Sequence, residues 1–109
     1  SLMAAPDFPK RQITRFNNRS YFPNLVLSSL NPALVEEFDL PWDIKGFVVL
    51  DSGRLAASIG LRKRDVIVSA NGKKLTSASD LDYILKTGGR SGILLVQRGF
   101  QRISLRFRR

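Results

Sequence analysis

The stretch from Gly46 to Gly72 decides the fold, and it reads GFVVLDSGRLAASIGLRKRDVIVSANG. Phe47 to Leu50 is a continuous apolar run of strand length, which is typical of a strand buried on both faces. Asp65 to Ala70 is a second candidate strand. Asn71-Gly72 follows at once, and this dipeptide favours the two-residue turn of a β-hairpin. The stretch therefore predicts two strands, the second of which enters a hairpin.

A short helix is predicted between these two strands. Asp51-Ser52-Gly53 is a break made of turn residues. Leu55 to Ile59 is small and compatible with a helix. Gly60 stands where the C-terminus of a helix favours a residue in the left-handed region.

Upstream, residues 1–18 are predicted to be a linker from a preceding domain, with a short strand at Gln12 to Phe16. The chain begins with Ser rather than Met, so we expect a fragment of a longer protein. Leu25 to Leu30 is a predicted strand. A helix is predicted to follow as far as Phe38, with Asn31 as its N-cap and Pro32 at its first position, where no N–H is needed.

Downstream, Lys73 to Leu75 is a predicted short return strand. A second main helix is predicted from Thr76 to about Lys86, because Ser77 and Asp80 form a capping-box pattern. Ile93 to Arg98 and Arg102 to Arg108 are predicted strands. The last of these alternates strictly between apolar and polar residues, which indicates one buried and one exposed face.

The central stretch resembles a bacterial PDZ domain over Ser52 to Leu61 and Asp65 to Leu75. One departure is Arg64, where the family has Gly. Leu30 to Leu40 (LNPALVEEFDL), followed by Gly46-Phe47-Val48-Val49, is similar to the PDZ domains of the Deg/HtrA serine proteases, most of all the second, C-terminal one. The resemblance implies an α+β, PDZ-like fold over residues 19–109, a partly open barrel of five or six strands with two helices.

The resemblance also implies a groove between a strand edge and the second main helix. An extended peptide adds to the edge as a strand, and loop amides hold its terminal carboxylate. In this loop Asn24 replaces the family's Gly, and Pro23 removes one donor. The alternative is that Phe22, Leu25 and Leu27 are core residues that plug the groove. The peptide-binding residues implied by the resemblance are Phe22, Pro23, Asn24, Leu25, Val26, Leu27, Ala78, Leu81, Asp82 and Leu85.

The amino-acid composition excludes most common catalytic sites from these residues. The 109 residues contain no His and no Cys, so a Ser-His-Asp triad, a Cys-His dyad and most zinc sites cannot form within them. No catalytic residue, metal or cofactor is predicted. The formal net charge is +9, from 18 Lys and Arg against nine acidic residues. These basic residues, Arg98 among them, fall on predicted turns, tails and outward strand faces, which favours a solvated surface.

The resemblance implies that this is the C-terminal PDZ domain of a periplasmic Deg/HtrA-like serine endopeptidase. Such a domain would bind peptide or unfolded protein termini and contact other domains or subunits of its parent, and so regulate substrate recognition and assembly. Neither nucleic-acid binding nor membrane insertion is expected. Two alternatives stay open: a non-proteolytic PDZ adaptor of the bacterial envelope, and a basic nucleic-acid-binding β-domain.

Overall fold

The structure, a computed structural model, describes residues 5–108 as one open sheet with helices packed on it. The predictions for residues 1–4 and for Arg109 lie outside the described residues. In chain order the elements are β1 (Ile13–Arg15), β2 (Val26–Ser28), α1 (Pro32–Glu37), β3 (Phe47–Asp51), α2 (Gly53–Ser58), β4 (Val66–Ala70), β5 (Lys73–Lys74), α3 (Ala78–Thr87), β6 (Ser91–Arg98) and β7 (Gln101–Arg108).

The strands are antiparallel to their neighbours in the order β1-β2-β3-β4-β6-β7, and β5 pairs with β4. This arrangement confirms the predicted α+β, PDZ-like fold. Within residues 5–108 there are seven strands and three helices, against five or six strands and two helices expected. The strand count is higher because the short segments β1 and β5 join the sheet, and the helix count is higher because it includes α2, the six-residue helix predicted between β3 and β4.

Local sequence explains the ends of the elements. Asn31 caps α1, since its Oδ1 accepts a hydrogen bond from the Leu34 N–H at 2.8 Å. At the hairpin between β4 and β5, Asn71 and Gly72 both lie in the left-handed region, with φ of 51° and 78°. Arg64 also lies there, with φ of 73°. The turn thus keeps the geometry that the family builds with Gly, although a residue with a side chain is less favourable in this region.

The sheet is buried on both faces where β3 and β4 cross its centre. Val49 and Ile67 belong to the larger apolar cluster, which includes the buried side of α3, while Val48 and Val66 pack with Leu34 of α1. All four strand residues are fully buried. The prediction that Phe47 to Leu50 is a strand covered on both faces is therefore confirmed, and α1 and α3 hold the two sides.

Candidate functional site

The predicted groove lies between β2 and α3, and the structure brings most of its predicted residues together there. Five of them surround one small cavity: Phe22, Leu25, Leu81, Asp82 and Leu85. Ala78 lines a neighbouring cavity of about 260 Å³ at the N-terminal end of α3. Val26 and Leu27 lie in β2, which forms the strand wall.

The loop before β2 has the backbone shape expected of it. Asn24 is left-handed, with φ of 66°, as its place in the loop requires. Its N–H points toward the groove and donates to the carbonyl oxygen of Phe16 at 3.0 Å. Pro23, by contrast, turns its carbonyl toward α2, where a Cβ placed on Gly53 would lie 2.6 Å from the Pro23 oxygen.

Asp82 joins this loop to α3. Its Oδ1 accepts a hydrogen bond from the Tyr21 N–H at 2.6 Å, and its Oδ2 lies 3.1 Å from the Lys86 Nζ. One carboxylate of the helix thus positions the loop backbone, and its charge is balanced within the same helix. A role in contacting a peptide stays a prediction for Asp82.

The residues that sequence reasoning missed are those of β1 and its continuation. Thr14 pairs with Leu27 and Arg15 with Val26, so the edge of β2 already carries a strand. Phe16 follows, is 9% exposed, and lies against Leu81 and Leu85. The short strand expected at Gln12 to Phe16 is present, but a local pattern cannot name its partner, because pairing depends on residues far along the chain.

Phe16, Tyr21 and Phe22 fill the deep end of the groove. No water-sized space remains among the seven described residues around this cavity, which are Phe16, Tyr21, Phe22, Leu25, Leu81, Asp82 and Leu85. Phe107 of β7 closes the base, with its ring centroid 5.5 Å from that of Phe22 and 5.8 Å from that of Tyr21. Phe22, Leu25 and Leu27 are all buried, and their role in contacting a peptide stays a prediction.

The N-terminus of α3, which forms one side of the 260 Å³ cavity, is held by Asp80. The Asp80 Oδ2 accepts hydrogen bonds from the Ser77 N–H at 3.0 Å, the Thr76 N–H at 3.0 Å and the Thr76 hydroxyl at 2.6 Å. These donors, the Thr76 hydroxyl first, lower the pKa of Asp80 to about 2. The predicted capping pattern is thus present, and it fixes where the helix wall begins.

Arg98 corrects the expectation that the basic residues are solvated. Its Nε and Nη2 lie 2.9 and 2.8 Å from the carboxylate oxygens of Asp65, a residue that is 1% exposed. Nη2 also donates to the Gly60 carbonyl at 2.8 Å. The hydrogen bonds to Asp65 raise the pKa of Arg98 above its ordinary value. Arg98 therefore fastens the turn before β4 to β6, and it is structural.

Residues 47–98 match the family model of the PDZ domain. The match supports a PDZ domain. The matched range runs from the start of β3 to the end of β6, so it includes α3 but not β1 and β2. PDZ domains are non-catalytic peptide-binding modules, which agrees with the prediction that this chain has no catalysis of its own. No curated protein matches the chain.

No group of three or more His, Cys, Asp or Glu side chains within residues 5–108 could hold a metal ion. No helix described there is both long and apolar enough to cross a membrane.

Proposed function

We propose that this domain binds extended peptide segments by strand addition along β2, with α3 as the opposite wall. One observation carries the proposal: β2 and the loop before it hold an extended segment in this way already. Phe16 donates its N–H to the Leu25 carbonyl at 2.9 Å and accepts from the Asn24 N–H, while its ring enters the apolar end of the groove. The PDZ family match supports the same mode of recognition.

Two kinds of contact in the groove have different roles in binding a peptide. Main-chain hydrogen bonds along a strand edge attract any extended peptide, and pockets for alternate side chains select among them. Here the apolar end, bounded by Leu25, Leu81 and Leu85, suits a large apolar side chain. The wider end, where Ala78 lines a cavity of about 260 Å³, has room for a further residue of the peptide.

A titration followed by amide chemical shifts tests this proposal. The probe is a peptide with the chain's own residues 12–16, Gln-Ile-Thr-Arg-Phe, with either a free or an amidated C-terminus. We expect saturable shifts in Val26–Ser28, in α3 and in residues 12–16, whose place the peptide takes, and larger shifts for the free carboxylate. Shifts confined to β6 and β7, or none with either peptide in both the wild type and Thr14→Pro, a variant that weakens the pairing of β1 with β2, would contradict the proposal.

Two variants of α3 provide a matched control. Ser79→Arg adds a long side chain at an exposed position that lines the wider cavity, whereas Tyr83→Arg adds the same charge at a position that is 70% exposed and does not line either cavity. We expect Ser79→Arg to weaken peptide binding at least about tenfold, because the new side chain occupies the peptide's space, and Tyr83→Arg to leave it unchanged. Equal effects would mean that charge, and not the groove, governs binding.

The finer part of the proposal concerns the parent protein. We propose that this is the C-terminal PDZ domain of a periplasmic Deg/HtrA-type serine endopeptidase, where peptide binding regulates substrate recognition. The segment LNPALVEEFDL at residues 30–40 supports it, because Asn31 caps α1 as the family pattern implies. The upstream sequence of the natural gene tests it: a protease predicts a His, an Asp and a Gly-x-Ser-Gly motif there, and their absence would favour an envelope adaptor.

A second role, contact with another domain or subunit of the same parent, is supported by one apolar patch. Trp42 is 90% exposed and lines a cavity of about 480 Å³ with Val35, Glu36 and Ile44. The Ala5 N–H donates to the Glu36 carboxylate at 3.1 Å, so the first described residue of the chain lies beside this patch. Trp42→Ser should weaken self-association of the parent in sedimentation without affecting peptide binding by the groove. Unchanged assembly would contradict this role.

A further inference from the structure

We infer that residues 12–16 are a built-in ligand, which occupies the peptide groove and which any other peptide must displace. The inference rests on the proposed function and adds a level of regulation to it. It places this segment in the role of an intramolecular competitor, so that the affinity of the domain for other peptides is set by how often the segment leaves.

The hydrogen bonds of the segment are those of an added peptide strand. Gln12 accepts from the Ser29 N–H at 3.0 Å, and Phe16 donates to Leu25 and accepts from Asn24. In an antiparallel pair, residues alternate between those that exchange hydrogen bonds and those that do not. Thr14, which lies midway and opposite Leu27, therefore also directs its N–H toward β2.

The side chains of the segment follow the same alternation. Phe16 fills the apolar end of the groove, and Gln12 and Thr14 line the wider end with Ser77 and Ala78 of α3. Ile13 points away and is 57% exposed, although it is apolar. A segment that offers every second side chain to the helix wall, and leaves the others in solvent, has the contacts of a bound peptide.

The segment is held at high local concentration by a short connection. A turn follows Phe16, in which Asn17 accepts hydrogen bonds from the N–H groups of Arg19 and Ser20 at 2.9 and 3.1 Å. A tether this short gives an effective concentration of about a millimolar or more. A free peptide must therefore exceed the segment in intrinsic affinity or in concentration before it occupies the groove.

A peptide with a free C-terminal carboxylate can exceed the segment in intrinsic affinity. Asn24 donates to the carbonyl oxygen of Phe16, which is a neutral acceptor within the chain. A peptide that ends at the same place presents a carboxylate to the same N–H, and hydrogen bonds to an ionised acceptor are roughly twice as strong. Since β1 is three residues long and lies at one end of the described sheet, its release breaks its pairing with β2 and exposes the Phe16 side chain, while the rest of the sheet stays paired.

Release of the segment also requires release of one of its ends. A segment of five residues spans at most about 17 Å, so it cannot leave an extended path while both ends stay fixed. Its upstream end is anchored to α1, where the Ala33 N–H donates to the Pro6 carbonyl at 2.9 Å and the Asn31 Nδ2 donates to the Pro9 carbonyl at 3.0 Å. Arg11 adds a surface ion pair 3.2 Å from the Glu37 carboxylate, which contributes little. Release of the segment therefore breaks either this anchor or the turn at Asn17.

Two proline variants test the inference in the full chain. Thr14→Pro removes an N–H that points to β2, whereas Ile13→Pro removes one that points away, so that the second is tolerated at an edge. We expect Thr14→Pro to bind the free-carboxylate peptide of residues 12–16 at least about tenfold more tightly than wild type, because apparent affinity rises with the open fraction. Ile13→Pro should bind as wild type does.

A pair of insertions gives a second test that leaves every core side chain in place. Twelve Gly and Ser residues between Asn18 and Arg19 extend the four-residue turn to sixteen, and a fourfold longer tether lowers the effective concentration about eightfold. The same insertion after Gly89, whose Cβ position is open to solvent, is the control. We expect tighter peptide binding, by up to about eightfold, from the first insertion alone.

The possible outcomes separate the inference from the proposed function. If the peptide shifts β2 and α3 in all proteins with the same affinity, the segment is not a competitor and the inference is overturned, while the proposed function stands. If no protein binds the peptide, Thr14→Pro and the first insertion included, the proposed function fails and the competition fails with it. Tighter binding in those two variants, and not in their controls, supports both.

Discussion

Phe16→Ala should lower the stability of the domain and raise its affinity for peptide at the same time. The side chain is 9% exposed, so about nine-tenths of it is buried. A Phe side chain buries at least ~150 Å², which at ~25 cal/mol per Å² corresponds to about 3 to 4 kcal/mol. Measured Phe→Ala changes in protein cores fall in a similar range, roughly 3–5 kcal/mol.

The observed loss should be smaller than that figure. If residues 12–16 leave the groove as a unit, a substitution in this segment lowers the free energy of unfolding by no more than the free energy with which the segment docks. A segment that is open about 1% of the time docks with about 2.7 kcal/mol, the value of a hundredfold ratio. We therefore expect Phe16→Ala to reduce the free energy of unfolding by about 1–3 kcal/mol. The emptied apolar end should then accept the terminal Phe of a peptide.

Urea denaturation and peptide titration of the same samples measure the two quantities. Leu94→Ala is the control, because Leu94 is fully buried in β6, outside the groove, and cannot leave as part of a short segment. It should cost about 2–5 kcal/mol and leave the affinity unchanged. A full loss of 3–5 kcal/mol for Phe16→Ala, with unchanged affinity, would show that Phe16 is an ordinary core residue and would refute the reasoning.

Three further predictions concern the frame around the groove. Arg98→Met should cost about 3 kcal/mol in urea denaturation, because it leaves the buried carboxylate of Asp65 without its partner. Hydrogen bonds to the ionised Asp80 carboxylate lower its pKa to about 2 and stabilise the folded state above about pH 4. This stabilisation is lost as the pH falls from about 4 to 2, because Asp80 then becomes protonated in the folded state as well. Asp80→Asn should therefore lower the melting temperature at pH 7 and have little effect below pH 2. Gly53→Ala should cost at least about 1 kcal/mol and weaken peptide binding, since φ is +71° and the new Cβ would meet the Pro23 carbonyl of the loop.

Controls for these predictions come from the same chain. Arg102→Met removes a basic side chain of β7 that is bonded to Gln97 rather than to a buried acid, and it should cost less than Arg98→Met. Gly72→Ala meets no atom within 4 Å, although its φ is +78°, so it should show the backbone strain alone and leave the loop unmoved. If either control matched its partner variant, the buried pair or the close approach would not be the cause.

The composition of the groove could be predicted only in part. The helix wall follows from the spacing of Leu81 and Leu85 after a capping pattern, and the strand wall follows from the apolar run that begins at Leu25. Thr14 and Phe16 could not be placed, because a three-residue strand carries too weak a periodicity to name its partner. Their partners are distant along the chain: Leu27 lies 13 residues after Thr14, and Leu85 lies 69 residues after Phe16.

The amino-acid sequence by itself determined the elements whose signals are local. Asn31 and Pro32 begin α1, Asn71-Gly72 turns β4 into β5, and Asp80 caps α3, because each of these residues acts on backbone groups within a few positions of itself. Only the tertiary structure decided what occupies the groove and where Arg98 goes. Both depend on contacts between distant parts of the chain, whose free energy arises from burial and pairing that no short stretch of sequence contains.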